Sequence, residues 1–533
     1  MLYPAHRAGL SPASGRRRPP VLSAVITPLI LLSSPLAAHA AGAPDPSKVF
    51  ADDTLTDGDD VLTVASDKTY DLVGDYEFGG GDDAVTNNGT LTIGAKATDP
   101  TQVTLRSLEG LKNKGLIDLR NGHVGDVLTI AGDYNGSEKA RLGLDFGPGG
   151  ADKLVVGDVA NGKTAVVLTG LSAKDAVLTG DKGPVLIQAG ADSTKDAFYV
   201  ENSEAGLIHY TLAFDSKTTS YRLQGAAGQP VYQALKISEG AATAWRAAAD
   251  AWSAHVANVR DAGREAEGGA TWGQAYGGRQ DRDDDIAASD RIVRTDYRQT
   301  TYGGQMGVDL VNGDLGDGRI LLGLTGGFAD SKIRFDVDDQ NVRLRVLNLG
   351  AYVALTQDGF FVNALAKADR QTIKAPVDTV EAKFDGTSFG AQVEAGVRSE
   401  GDSLTYEKLV SLNYVSTRLD DMKVFGQRLD FDNASGFVAK IGVRGVLGDP
   451  DEILGSYGAA FVVHDFTVKD SLTLVSGDQS EHLSRDGGRT YGQVTAGFSF
   501  RPSEAMFAYI EATGDFGGGR QGGGLRVGAR VGF

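Results

Sequence analysis

From about Ala270 to Phe533 the chain is a succession of segments of roughly ten residues in which apolar positions alternate with polar or small ones. In "FGAQVEAGVR", Phe389, Ala391, Val393, Ala395 and Val397 share one face of an extended chain, and Gly390, Gln392, Glu394, Gly396 and Arg398 share the other. "FVAKIGVR" sets Phe437, Ala439, Ile441 and Val443 against Lys440, Gly442 and Arg444. The last ten residues, "GLRVGARVGF", set Leu525, Val527, Ala529, Val531 and Phe533 against Arg526 and Arg530. Twelve such runs begin near Ala270, Tyr297, Arg319, Asn341, Phe360, Thr387, Leu404, Ser435, Ser456, Tyr491, Met506 and Leu525. Alternate connections are long and charged (Gln280–Arg291, Ser476–Gly488) or short (Thr356–Gly359, Arg501–Ala505). Ten-residue dyad strands, with long loops on one rim and short turns on the other, predict a transmembrane β-barrel. A soluble β-sandwich also alternates. Charges on the second face, and a last strand that needs a partner on each side, favour the closed barrel.

Just before the first strand, Ser238–Asp261 is alanine-rich and proline-free and predicts a helix, with Pro230 as an earlier start signal and Gly263 as a stop. Residues 241–262 would span about 33 Å, close to the hydrocarbon thickness of a bilayer. Arg246, Asp250, His255 and Arg260 make it a poor lipid-facing span. Small alanines with Trp245 and Trp252 suit a polar bore instead, with Asn258 near the far end; a linker helix outside the barrel is the alternative. Inward positions Glu394, Arg398, Lys440, Arg444, Glu511, Arg526 and Arg530 predict a basic lumen with the two glutamates as partners.

Upstream, "NNGTLTIG" (Asn87–Gly94), "LKNKGLIDLRNG" (Leu111–Gly122) and "GDVLTIAGDYNG" (Gly125–Gly136) combine inward Leu/Ile-x-Leu/Ile with Asn or Gly corners. They predict rungs of a right-handed parallel β-helix, some twenty-odd residues each and about 35–40 Å in total height. Val155 and Val166 are read as inward positions of the best-formed rungs, from which folding is expected to spread toward the N-terminus. "TDGDDVLTV" and "GGGDDAVTN" bring Asp57, Asp59, Asp60, Asp82 and Asp83 into fragments of a calcium-binding repeat, but the repeat is broken and acidic turns between rungs are the plainer reading.

Composition sharpens this picture. The 533 residues hold 72 glycines and no cysteine, so stability rests on hydrogen-bonded sheet and core rather than disulfides. A formal charge of −18 argues against nucleic acid as a partner. At the N-terminus, Arg7, Arg16, Arg17 and Arg18, the apolar run Val21–Leu32 and Ala38-His39-Ala40 form an export signal expected to be cut between Ala40 and Ala41. The apolar run is too short for an anchor, and the arginines fit the twin-arginine pattern poorly. "GDSL" at Gly401–Leu404 has the letters of an esterase motif, but Ser403 lies at the mouth of a strand with no Asp-x-x-His downstream within reach. Neither H-E-x-x-H nor G-x-S-x-G occurs, so no catalysis and no cofactor is expected.

The order of signal, β-rich segment, Ala-rich helix, twelve-strand barrel and terminal Phe533 resembles the monomeric type V autotransporters of Gram-negative bacteria. The local matches are "ATWGQAYGGR" (Ala270–Arg279), the final "VGF", and Leu128–Leu168 with Ala197–Gln224, which look like the autochaperone end of a pertactin-like passenger. The resemblance implies five segments: signal 1–40, β-helical passenger 41–127, autochaperone-like end 128–230, linker and pore helix 231–265, and barrel 266–533. It implies Sec-type export through the periplasm and periplasmic chaperones. It also implies a barrel-assembly machinery that reads Phe533, insertion in outer-membrane lipid, and a threaded helix. The passenger would reach the cell surface, for adhesion to a host or neighbouring-cell ligand or for aggregation. Family members are often cut at an Asn-Asn pair in the helix; here only Asn258 is present. The alternative is a barrel with its own pore or enzyme function and a vestigial passenger.

Overall fold

A strand with one apolar and one polar face needs lipid or core on the first and neighbours along both edges, and a closed barrel supplies both. In the computed structural model, twelve antiparallel strands do this: β1 Ala270–Arg282, β2 Tyr297–Leu315, β3 Gly318–Phe335, β4 Asn341–Gln357, β5 Phe360–Val377, β6 Val380–Ser399, β7 Leu404–Leu419, β8 Ala434–Leu447, β9 Leu454–Phe466, β10 Arg489–Ser503, β11 Met506–Gly517 and β12 Arg520–Gly532. The structure describes residues 50, 55–147, 149–263, 267–288, 291–401, 403–447, 453–466, 470–485, 487–503 and 505–533. The export signal, with Ala40 and Ala41, lies outside them.

The last strand closes on the first in unbroken register, from Ala270 opposite Gly532 to Arg282 opposite Arg520. Phe389, Ile441 and Leu525 on the outer wall are 61%, 65% and 62% exposed, whereas Arg530 on the inner wall is 1% exposed. The apolar rows face out and the arginines in, as the alternation requires. Ten strands start within two residues of their expected positions; β6 and β12 start earlier, at Val380 and Arg520. Above the lipid belt their outward residues turn polar (Glu381, Lys383) or glycine-rich (Gly522–Gly524), so the apolar pattern disappears while the ladder continues.

Upstream stands a parallel β-solenoid of about four turns. Residues stacked in register are Val61 on Ala84, Ala84 on Gly110, Gly110 on Asp133, and Tyr134 on Ala160. Leu91, Ile93, Ile117, Leu128, Ile130, Leu154 and Val166 point into its dry interior, each fully buried. A buried polar ladder ties the rungs at one corner. Asn87 Nδ2 donates to Asn113 Oδ1 (2.9 Å), Asn113 Nδ2 donates to the Tyr134 hydroxyl (3.1 Å), and that hydroxyl meets Thr164 Oγ1 (2.9 Å). Two expectations are corrected here. Val155 lies on the outer side of its strand, between the buried Leu154 and Val156. The stack is also shorter than 35–40 Å: a fifth step sets Thr164 on Phe198, and five steps of about 4.8 Å reach only about 24 Å. The remaining length folds as an antiparallel hairpin, Ile208–Asp215 with Ser220–Ala227.

Helix α1 runs from Gln229 to Ala262, with Pro230 in its first turn and Gly263 closing it at φ 59°. It begins nine residues before the expected Ser238 because Val231, Tyr232, Leu235 and Ile237 are buried in a core that the barrel sequence alone did not reveal. The long loops are structured: Met422–Val424, Gln427–Phe431, Asp470–Ser476 and Gln479–Arg485 form a four-stranded sheet over the barrel mouth. Leu429, Leu472, Leu474 and Leu483 of that sheet join Ile208 and Leu223 of the solenoid hairpin in one continuous apolar core. Gln427 Nε2 donates to Ala176 O (2.6 Å) and Ala227 N donates to Glu481 Oε2 (2.7 Å) across the same junction.

Candidate functional site

The barrel bore is filled by α1. At 34 residues the helix is about 51 Å long, enough to cross the barrel and reach the solenoid base. It is not apolar enough to cross a membrane in contact with lipid. Each charge on it meets an opposite charge on the inner wall or in the loops at the barrel mouth, which is the condition for burying ions in a barrel.

At the long-loop end, Lys236 pairs with Asp284 (2.7 Å), and Glu239 with Arg282 (2.6 Å) and Arg485 (2.8 Å). At the same end, Gly240 passes close to Ile333: a Cβ there would lie 2.3 Å from Ile333 Cδ1. Trp245 is fully buried, donates from Nε1 to Lys367 O (3.2 Å), and sits in a recess that Gly390 leaves open. Arg246 lies 3.5 Å from Asp465, and Asp250 pairs with Lys440 (2.6 Å). Trp252 packs against Tyr352, ring centroids 5.8 Å apart. His255 stacks on Trp272 (4.2 Å) and contacts Asp309 (3.1 Å), which also accepts from Arg530 (2.7 Å) and the Tyr352 hydroxyl (2.5 Å).

At the short-turn end, Arg260 makes a two-pronged pair with Glu407 (2.9 and 3.0 Å). Asp261 accepts from Arg398 (2.7 Å) and Arg444, and both arginines also contact Glu407, at 2.9 and 3.4 Å. Glu394 faces the same space and accepts from Asn363 (3.0 Å); Glu511 pairs with Arg526. Asn258 is buried and donates from Nδ2 to Ala254 O (2.8 Å).

All seven predicted lumen residues therefore line the bore, but the bore is not basic. Acids on α1 (Glu239, Asp250, Asp261) and on the wall (Asp309, Glu407) balance the cations. The wall acids were legible: Glu407 in "LTYEKLV" and Asp309 in "GVDLV" fall on inward positions. Phe533 lies at the short-turn rim, 81% exposed, and donates from its backbone N–H to Gly269 O (2.9 Å).

Three of the five acidic turn residues of the solenoid cap backbone N–H groups, and Asp60 also accepts from the Thr56 hydroxyl (3.2 Å). Asp60 accepts from Thr56 N (2.7 Å), Asp83 from Asp60 N (2.7 Å) and Asp59 from Asp82 N (2.9 Å); Asp57 shares the turn. Among the described residues no group of three or more His, Asp or Glu is placed to hold a metal ion. A second carboxylate group escaped notice in the sequence. Asp126, Asp145 and Asp152 are buried together. Asp152 accepts from Gly125 N, Asp126 N and Asp145 N (3.0, 3.0 and 2.6 Å). Burial, aided by the two neighbouring carboxylates, pushes its carboxyl up to about 7.

A twelve-stranded barrel with lipid-facing apolar rows and a charge-matched helix through its bore is an outer-membrane β-barrel of the self-plugged kind. Residues 271–513 match the autotransporter β-domain family, and this match supports a type V autotransporter. No curated protein sequence matches the chain. Among solved structures, it is similar to the β-domain of the Bordetella autotransporter BrkA, at 17% identity, covering 50% of this chain and 100% of that one with a TM-score of 0.41. It is similar to the transport unit of AIDA-I from Escherichia coli at 16% identity, covering 50% of this chain and 90% of that one, TM-score 0.41. The translocator domain of NalP from Neisseria meningitidis follows at 14% identity, covering 56% and 100%, TM-score 0.41.

Proposed function

We propose that the barrel carries its own N-terminal solenoid across the outer membrane and displays it on the cell surface, where it acts without catalysis in adhesion or aggregation. The observation that carries this reading is the path of α1. It leaves the solenoid at the long-loop rim, crosses the bore, and joins β1 at the short-turn rim. An even number of strands leaves both barrel ends on the short-turn side, so the helix is what places the solenoid on the other. Export through the periplasm by a Sec-type signal, and reading of Phe533 by the assembly machinery, belong to the same proposal. Phe533 is exposed in the finished barrel and so is free for such reading.

The test is protease shaving of intact cells with mapping of the released fragment. Release of solenoid peptides from intact cells is expected; protection until the outer membrane is permeabilised would sink the reading. Single-channel recording separates it from a pore function. The intact protein should conduct weakly, and deletion of Ser238–Asp261 should raise conductance. Deletion of Phe533 should lower the amount of heat-modifiable barrel, and normal amounts would remove its assembly role.

A further inference from the structure

The outer wall is not uniform around the barrel. On β8–β12 the described outward positions carry no Lys, Arg, Asp or Glu. Those rows read Phe437, Ile441 and Val443, then Val494 and Phe498, then Leu525 and Val527. On β4–β7, near the long-loop rim, the outward rows turn basic: Arg343 and Arg345, Arg370 and Lys374, Lys383, and Arg418. Some of this charge is spent locally. Arg343 pairs with Asp330 (2.6 Å) and Lys374 with Glu381 (2.5 Å). Arg345 and Arg370 are 63% and 76% exposed, and reach Asp330 and Asp385 only at 3.7 and 3.6 Å. Arg418 has no acidic partner among the described residues.

These three arginines lie close together. Arg370 is directly opposite Leu347 on one side and Thr387 on the other, and Thr387 is opposite Arg418. Arg345 is one outward position above Leu347. At about 4.8 Å per strand, Arg370 lies about 8–10 Å of backbone from each of the other two, and Arg345 and Arg418 lie about 16 Å apart, a span that one ligand with two anionic groups can bridge. An open groove of about 570 Å³ is lined by Arg370 and Arg418 together with Leu347, Leu349 and Phe389. Exposed cations beside an apolar groove on a lipid-facing wall call for a ligand with anionic head and apolar chains. Guanidinium forks bind phosphate in two-pronged fashion.

We propose that this sector of the wall is a docking surface for a phosphorylated, multiply acylated lipid of the outer leaflet, with its phosphates on Arg345, Arg370 and Arg418 and its chains against Leu347, Leu349 and Phe389. This rests on the reading that the long-loop rim faces outward, but binding to purified protein does not depend on orientation, so the two can fail separately.

The test titrates diphosphorylated lipid A into the full-length protein in lipid-free detergent and counts bound lipid by native mass spectrometry. A saturable one-to-one complex is expected. Arg345→Gln/Arg370→Gln/Arg418→Gln should weaken it by about tenfold or more, and dephosphorylated lipid A should bind the native protein comparably weakly. Lys408→Gln, outward on β7 at the opposite rim, should bind as the native protein does. Millimolar inorganic phosphate should not displace the lipid. Unchanged affinity in the triple variant overturns the proposal. So does equal binding of dephosphorylated lipid A, displacement by free phosphate, or a protein dimer in place of the lipid complex. Heat-modifiable mobility checks folding. If the triple variant does not fold, Arg418→Gln alone decides, because it orphans no acid: a measurable loss supports the docking surface and none rejects it.

Discussion

The short-turn end of the bore offers the sharpest test of how α1 is held. Glu407 is fully buried and faces three guanidinium groups: Arg260 through both prongs, Arg398 at 2.9 Å and Arg444 at 3.4 Å. With Asp261 and Glu394 it makes three acids against three arginines, and Glu394, Arg260 and Arg444 line a cavity with it. Glu407→Gln keeps the shape and removes one charge. The Arg260 fork then loses its partner, and the arginines outnumber the acids. Opposite charges 4 Å apart attract by about 4 kcal/mol at an effective dielectric near 20, and each arginine regains part of that through water or its other acid. Breaking a buried pair from one side costs about 3–5 kcal/mol, and that is the expected loss.

The assay is urea unfolding of the detergent-solubilised protein, followed by gel mobility, beside trypsin cleavage after Arg260. Cleavage should become detectable only when the helix end leaves its seat. A double-mutant cycle isolates the pair: Glu407→Gln, Arg260→Gln and the double variant should show a coupling of about 2 kcal/mol or more. A loss below about 1 kcal/mol with no coupling would refute the reasoning. The lumen would then be wet enough to screen its ions, and α1 would be held by its alanine and tryptophan packing alone.

Three further outcomes follow. Asp152 should make the solenoid more stable in acid: its carboxyl ionises near 3.8 when unfolded and about 7 when folded, so the folded state alone keeps the proton between those values. The resulting stability, at most about 4 kcal/mol, is complete below about pH 4 and lost as the pH rises through 7; protease resistance that stays flat from about pH 5 to 8 contradicts this. Gly390→Leu puts a Cβ 2.8 Å from Trp245 Cζ2 and should unseat the middle of α1 at a cost of about 1–3 kcal/mol, read as increased conductance and a shift in tryptophan emission. Leu154→Asp with Val166→Asp should leave the barrel heat-modifiable but the solenoid protease-sensitive, with Val155→Asp tolerated; if Leu62→Asp is as damaging as the inner pair, the stabilising rungs lie at the other end.

The barrel could be read from the sequence because lipid on one side and charge on the other force a strict two-residue period. Leu525 to Phe533 shows it without ambiguity. Inward Arg444 and Arg530 followed from the same parity. Their partners did not follow, because Asp261 comes from the helix and Asp309 from a strand more than 200 residues away, and pairing across the bore is a property of closure rather than of spacing. The mouth sheet was hidden for a related reason. "SGDQSEHLSRDGG" looks like a solvated loop, yet Leu483 within it is buried by residues of the solenoid, a surface that exists only after both parts have folded. Asp152 went unnoticed because nothing in a local window distinguishes a buried acid from a turn residue; its three backbone donors come from other corners of the stack.

That shared core also bears on why so short a solenoid is stable. A rung cannot bury its apolar side without a neighbour, and arrays of this kind need capping at both ends. At the N-terminal end Phe50 covers the last described rung, edge-on to Tyr70 and Tyr76 at 6.2 and 5.6 Å. At the other end the cap is the barrel itself: Leu472, Leu474 and Leu429 of the mouth sheet, with Val231 and Leu235 of α1, extend the solenoid interior without a break. If α1 is the trailing segment of export, the hairpin Ile208–Ala227 is the first part of the passenger to lie beside a finished apolar surface. Each rung N-terminal to it then has a folded neighbour to pair with, in the register from Tyr134 on Ala160 back to Val61 on Ala84. The solenoid therefore needs no long array to be stable, because its base is supplied by the barrel domain to which it is joined.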